Sequence, residues 1–332
     1  MKTKVSVRTL LICCILVFIS TYAYFTFSSN KKIEPTSIQI TDINKTVTKT
    51  RIKNFDLIQP LLFTDVSEES PSLKGIRSKI DQYVNRIKSN QQADDVSVYF
   101  RKMNDGRWFC INPNKVYNPA SMSKLIELIV YLKEVEENPN ILEKKIFFNH
   151  HYNEVSQQNI KDFTLKEQTY YPIKDLLVYM IKYSDNDATV LLNKNININL
   201  YNQLFIDLNI PIPPVAGEYT ISATDFSKFF RILYNGTYLR AELSEFALKL
   251  LTLSTYEDGL KKGLDPGVVI AHKYGERVFG NKTQFHEFGI IYVNRDPYLL
   301  GVMTLGSSLH QLSDIVQEIS RIAYTENLVM NE

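Results

Sequence analysis

Cysteine is scarce. There are three in 332 residues, and Cys13 and Cys14 both fall in an uncharged run near the start. Only Cys110 remains, so no intradomain disulfide can form and stability must come from a packed core. Cys110 itself reads as a small buried hydrophobe rather than a reactive thiol. An excess of one charge is also missing. Lys and Arg number 38 against 36 Asp and Glu, a net +2, with no dense basic stripe. That gives no basis for nucleic acid as a partner. Metal-ligand spacing is absent too. His150 and His151 are adjacent and would point to opposite sides of an extended segment, with no matching Asp, Cys or third His. Neither a metal nor another cofactor is expected. His272 and His286 read as structural, although His272 adjoins Lys273 and could line a cleft. No repeat or low-complexity tract is visible.

What is present suffices for a sizeable fold. Apolar residues make up 44% of the chain, with 18 Phe and 20 Tyr, enough for one large domain or two small ones plus appendages. Lys2, Lys4 and Arg8 precede a run from Leu10 to Phe27 that carries no charge. About eighteen such residues is near the lower limit for a helix that crosses a bilayer. Basic residues ahead of the run orient the N-terminus toward the cytoplasm and everything after it outside. The expected organisation is a cytoplasmic stretch at 1–8, a signal-anchor at 9–27, an extracytoplasmic linker at 28–69 and a folded domain at 70–332. A cleaved signal peptide is the alternative, with Thr21 and Ala23 as the small residues before a cut. The bulky Tyr22, Tyr24 and Phe25 favour the anchor. Lipidation of Cys13 or Cys14 is disfavoured by Ile12, a poor residue before such a site.

The linker is rich in Thr, Ser, Lys and Asn, and its segment 58–63 is apolar enough to dock on the domain. Beyond it, Ile76, Ile80, Val84 and Ile87 recur at helical spacing within 72–89. Residues 96–101 alternate as a strand, Asn104-Asp105-Gly106 signals a hairpin, and 108–111 supplies the return. Helices are predicted at 125–132, ended by Glu137-Asn138-Pro139-Asn140, and at 171–183, 188–192, 200–208, 224–233 and 241–253. Successive prolines at 211, 213 and 214 exclude a helix there. A glycine-rich turn at 259–267 leads into a strand at 268–273. Strands at 288–293 and 298–305 and a closing helix at 312–324 complete the chain. This order implies an α+β architecture. The early hairpin and the late strands share one antiparallel sheet flanked by helices, and the middle helices form an all-helical lobe.

One stretch carries chemistry: Tyr117-Asn118-Pro119-Ala120-Ser121-Met122-Ser123-Lys124, ahead of an apolar helix whose buried face is Leu125, Leu128, Ile129 and Leu132. Ser121 would stand at or near the first turn. Residues three apart share a helix face, which brings the Lys124 amine toward the Ser121 hydroxyl. A serine becomes a competent nucleophile when a neighbouring base takes its proton, and a desolvated lysine can serve. The helix N-terminus favours negative charge developing there. Alone the S-x-x-K spacing is weak, and Ser29-Asn30-Lys31-Lys32 is a second copy with no helix behind it.

Two further motifs follow in order, Ser184-Asp185-Asn186 and Lys273-Tyr274-Gly275. The set resembles the penicillin-recognising serine hydrolases, marked by S-x-x-K, S-D-N and K-T-G, and among them the class A β-lactamases. The strand pair around 289–292 and 301–304 supports the likeness, which covers about residue 70 to the end. The resemblance implies a β-lactamase/transpeptidase-like fold and an acyl-enzyme at Ser121. Lys124 is then the base or proton relay, and Ser184 passes a proton to the leaving nitrogen, steered by Lys273. Asn186 contacts the substrate's amide side chain, and Asp185 fixes the loop. Tyr274, Gly275 and Glu276 line the substrate, with the backbone N–H groups of Ser121 and Glu276 forming the oxyanion hole. The implied partner is a β-lactam or a peptidoglycan D-alanyl peptide.

The chain also departs from that family. Class A enzymes carry a glutamate, on a loop between the second motif and the next helix, that activates the deacylating water. Here 209–217 contains no acidic residue, and Glu218 reads as a first-turn carboxylate of the helix that follows. Tyr274 stands where the family has a small hydroxyl, and Glu276 would repel a substrate carboxylate. Two functions are therefore weighed: an exported, membrane-anchored serine hydrolase with slow deacylation, and a non-catalytic cell-envelope binding protein that keeps the fold.

Overall fold

The computed structural model describes residues 47–52, 57–152, 164–294 and 296–330, all within one unit that spans 46–332. The sequence-predicted anchor at 9–27, the second S-x-x-K copy and most of the predicted linker lie outside them. Among the described residues no helix is long and apolar enough to cross a membrane.

The scaffold is a five-stranded antiparallel sheet in the order β4-β3-β11-β10-β9. The early hairpin β3 (Asp95–Lys102) and β4 (Trp108–Ile111) meets the late strands β9 (Val269–Phe279), β10 (Lys282–Tyr292) and β11 (Tyr298–Gly306). β3 pairs with β11 from Tyr298↔Lys102 to Leu305↔Asp95, so the ends of the chain close one sheet. Its strands read as continuous apolar runs because both faces are covered. On one face Val96, Val98 and Phe100 join a core with Ile76, Ile80 and Val84 of α1 (Lys74–Ser89) and Ile315, Val316 and Ile319 of α8 (Leu309–Val329). The opposite face packs on a helical lobe built from α2 (Lys124–Glu137), α3 (Ile173–Lys182), α4 (Asn186–Asn193), α5 (Ile198–Asp207), α6 (Ala223–Asn235) and α7 (Ala241–Thr252). The expected α+β arrangement, a flanked antiparallel sheet with a helical lobe, is the one observed.

α6 shows how local chemistry sets these elements. Ser222 caps it by accepting the Asp225 N–H at 3.1 Å, and Gly236, at φ +58°, ends it. Between those stops Phe226, Phe229, Phe230 and Leu233 face inward, and Phe226 meets Phe288 of the sheet at 4.9 Å between ring centres.

The structure corrects several expectations. The second half of the predicted linker is not a tether: β1 (Val47–Arg51) pairs with β2 (Leu61–Val66). Leu62 and Phe63 are buried in the core, in line with the docking expected of 58–63, and Asp65 ion-pairs with Arg101 of β3 and Arg231 of α6 at 3.1 and 2.7 Å. The predicted strand at 268–273 runs on to Phe279, turns at Gly280 (φ +56°) and returns as β10, starting six residues before the predicted 288. β6 (Lys145–Phe148) and β7 (Thr169–Pro172) form a pair that local pattern did not show, so the helix predicted from 171 begins at Ile173. A two-residue pair, β5 (Val116–Tyr117) with β8 (Ile221–Ser222), ties the segment before Ser121 to the start of α6.

Candidate active site

Ser121 sits on a tight turn. Residues Ala120–Ser123 form a single 3-10 turn and the α-helix begins only at Lys124, so the serine precedes the helix rather than lying in its first α-turn. Ala120 has φ +48°, held by its N–H bonding Asn118 Oδ1 at 2.9 Å. This left-handed residue, uncommon for alanine, turns the chain so that Ser121 is half-buried at the lobe's edge.

The edge strand β9 closes on that turn at Gly275. A Cβ at Gly275 would lie 2.6 Å from Pro119 O, 2.9 Å from Met122 N and 3.1 Å from Ser121 N. Only a residue without a side chain lets strand and turn approach this closely. The contact sets the backbone N–H of Ser121 beside the strand segment that carries Glu276, the pair expected to form an oxyanion hole.

The second motif forms the junction between α3 and α4. Ser184 has φ +55°. Asp185 caps α4, its Oδ1 accepting the Ala188 N–H at 2.7 Å, and its N–H bonds Tyr179 O at 3.1 Å. As expected, Asp185 fixes the loop that presents its neighbours.

Three motifs converge at one hydroxyl. Ser184 Oγ lies 3.1 Å from Lys124 Nζ and 2.9 Å from Lys273 Nζ. Lys124 also donates to Ser184 O at 2.6 Å and Asn186 Oδ1 at 2.7 Å, and Lys273 donates to Tyr274 O at 2.9 Å. The Lys124 hydrogen bonds thus run to Ser184 and Asn186, not to Ser121 as the helix-face argument suggested.

Both amines are buried. Burial pulls Lys124 down to about 8, opposed by the charges of Glu127, Asp185 and Glu276. Lys273 falls well below the lysine range through burial and then the repulsion of Lys124. One of the two is therefore readily neutral, and a neutral amine is a base.

The remaining predicted residues divide. Tyr274 is buried, its ring stacked on Tyr256 at 3.9 Å, and burial and the Glu276 charge raise its phenol, against a hydrogen bond with Ser184. Its side chain packs the wall beside Ser184 rather than standing free as a small hydroxyl would. Glu276 is half-buried on β9. Glu218 is not a first-turn carboxylate: it pairs with Arg277 of β9, and the acid in the first turn of α6 is Asp225. His272 is structural, bonded through Nδ1 to the buried Glu287 at 2.6 Å, whose other oxygen accepts the Leu260 N–H at 2.8 Å. His286 is likewise interior, pushed down to about 3 by burial. His151 bonds Asp187 at 2.6 Å. Among the described residues no group of three or more His, Cys, Asp or Glu could hold a metal ion. The buried Cys110 thiol is raised to about 11 by desolvation.

Glu127 was not singled out from the sequence. It is buried on α2, and Asn193 Nδ2 donates to its Oε1 at 3.2 Å. The signal was there: a carboxylate inside an apolar run, three residues after Lys124.

A family model described as the beta-lactamase enzyme family matches residues 77–326. No curated protein matches the chain. Among solved structures, PBP-A aligns with TM-score 0.65 at 20% identity, over 80% of this chain and 100% of its own. A substituted PBP-A in an acyl-enzyme complex with penicillin G aligns with TM-score 0.65 at 19% identity, over 77% and 97%. The extended-spectrum β-lactamase TLA-1 aligns with TM-score 0.67 at 17% identity, over 77% of this chain and 99% of that one. These likenesses carry the fold.

Proposed function

The chain belongs to the beta-lactamase enzyme family, and from that premise we propose that it is a serine hydrolase acylated at Ser121 by a β-lactam or a D-alanyl peptide amide. One observation carries the reading: Ser184 Oγ held between the amines of Lys124 and Lys273. A structural serine needs no pair of buried amines, and burying two amines together is costly, which favours a functional reason for keeping them.

In this reading neutral Lys124 takes the Ser121 proton as Oγ attacks the carbonyl carbon. Catalytic hydrogen bonds often tighten only when substrate binds, which accommodates a Lys124 that faces Ser184 at rest. The N–H groups of Ser121 and Glu276 receive the developing oxyanion. Ser184 hands its proton to the leaving nitrogen and regains one from a flanking amine, and Asn186 orients the substrate amide. The ester at Ser121 then clears slowly, because 209–217 offers no carboxylate and Glu218 is engaged by Arg277. The penicillin G complex of the substituted PBP-A supports the ligand class. The uncharged run at 10–27 behind Lys2, Lys4 and Arg8 supports a membrane-anchored domain outside the cytoplasm.

A fluorescent penicillin should label the full chain covalently, and Ser121→Ala should remain dark. If the intact protein is not labelled, penicillin recognition is wrong. Reaction with a fluorophosphonate at Ser121 would then leave another ester or amide as substrate, and inertness to both reagents would point to a binding protein.

A further inference from the structure

Lys124 has a buried neighbour that no motif names. Glu127 follows it by three residues on α2, so the two side chains leave the same helix face. Glu127 is 5% exposed. Its Oε1 accepts from Asn193 of α4 at 3.2 Å, while its Oε2 is buried with no hydrogen-bond partner among the described residues. The titratable groups that face it are the Tyr131 phenol of α2 and the Tyr201 phenol of α5, both raised by burial and so uncharged, and the Lys124 amine. Lys124 is in turn faced by Lys273 and Glu276 of β9, by Ser184 and Asp185 before α4, and by Asn186 on it.

One oxygen of this first-turn carboxylate ties α2 to α4 through Asn193, but the other is left without a partner among the described residues. It caps no helix, and a buried oxygen without a donor is destabilising. What it can do is act on the amine beside it. Burial and the neighbouring Lys273 both drive Lys124 toward the neutral state, and an amine driven too far becomes a weak base.

We infer that Glu127 is a positioning residue whose buried carboxylate is the counter-charge that keeps Lys124 basic enough to accept the Ser121 proton. The catalytic consequence rests on the acyl transfer proposed above; the electrostatic pairing does not. In the step itself the Ser121 O–H bond breaks and its proton joins the Lys124 lone pair. The Ser121 oxygen pair forms the new bond to the carbonyl carbon, whose π pair moves onto oxygen. The Lys124 ammonium so created lies beside the Glu127 carboxylate, which gains and loses no proton.

Glu127→Gln keeps the shape and an oxygen for Asn193 while removing the charge. Lysine ¹³Cε NMR on the full chain, with Lys124 assigned through Lys124→Arg, reads the amine directly. Residues three apart on a helix have Cβ atoms about 5–6 Å apart. A unit charge at roughly that distance with an effective dielectric of about 20 is worth about two pH units, so the Lys124 midpoint should fall by about one to two units in the Gln variant. Glu127→Asp should keep it above that of the Gln variant. The acid limb of penicillin labelling should move the same way, with a slower plateau because the base is weaker. An unchanged Lys124 midpoint overturns the inference whether or not penicillin reacts. A shifted midpoint in a chain that neither penicillin nor a fluorophosphonate labels upholds the pairing and sinks the hydrolase. Should the variants fail to fold, the intact protein still decides: a Glu127 carboxyl that titrates in the ordinary range, without a linked step at Lys124, overturns it.

Discussion

The hydrogen atom that serves as the side chain of Gly275 governs the distance between the nucleophile turn and the strand beside it. Gly275→Ala would set a methyl against Pro119 O and Ser121 N. β9 must then back away, at about 1–3 kcal/mol of stability. Misplacing the oxyanion donors by about an ångström should slow penicillin labelling about 100-fold, while circular dichroism reports an intact fold. The pH dependence follows from the amines. With Lys124 near 8 and neutral as the base, the labelling rate should rise as pH passes through about 8 and then level. Glu127 makes an opposite mark on stability. Burial raises it from 4.5 to about 7, so between those values the folded chain holds a proton that the unfolded chain has lost. Its contribution is full below about pH 4.5 and disappears as pH rises through 7. Urea midpoints across that window should decline less steeply for Glu127→Gln. Ser121, Lys124, Ser184 and Lys273 were legible in sequence as candidates, because each belongs to a motif with fixed internal spacing, and the structure brings the last three together. Glu127 was not, since the partners that bury it come from α4 and α5, and the apolar run around it looked like uninterrupted core.

At the scale of elements, the pairing of β1 with β2 is the clearest departure from expectation, although the docking of Leu62 and Phe63 agrees with the apolar character read for 58–63. Its first strand, VTKTR, is largely exposed and polar, so no alternation betrays it. What makes it part of the fold is remote: Leu62 and Phe63 enter the core, and Asp65 joins Arg101 and Arg231. Arg231 is 3% exposed. Asp65→Ala would leave that guanidinium buried without its carboxylate, at about 2–4 kcal/mol, read as a lower urea midpoint with little change in slope. The paired strands β6 and β7 escaped notice for a related reason, their partners being more than twenty residues apart. Helices fared better because their periodicity is internal. Residues 76, 80, 84 and 87 became the buried stripe of α1, and the 241–253 pattern became α7 almost residue for residue.

At the scale of the molecule, the sheet joins chain ends and the helical lobe comes from the middle, so the candidate groups Lys124, Ser184 and Lys273 arrive from distant stretches and meet where the halves touch. That architecture was readable from element order, while the depth of the meeting point was not. It decides the chemistry, because amines on an open surface would stay charged. The whole-molecule prediction is kinetic: on mixing with excess penicillin, one equivalent should react in a burst, followed by turnover slower than the burst by about 100-fold or more, since general base catalysis contributes about 10²–10⁴. Linear turnover at the burst rate would mean that another group activates water.

The hydroxyl at position 184 touches two amines yet owns a single hydrogen. Both amines donate to it, and its two lone pairs can take both, so that hydrogen is left to point away from the lysines. Any relay through this oxygen would therefore send its own hydrogen outward while an ammonium behind refills it, and the relay would be spent until that amine is charged again.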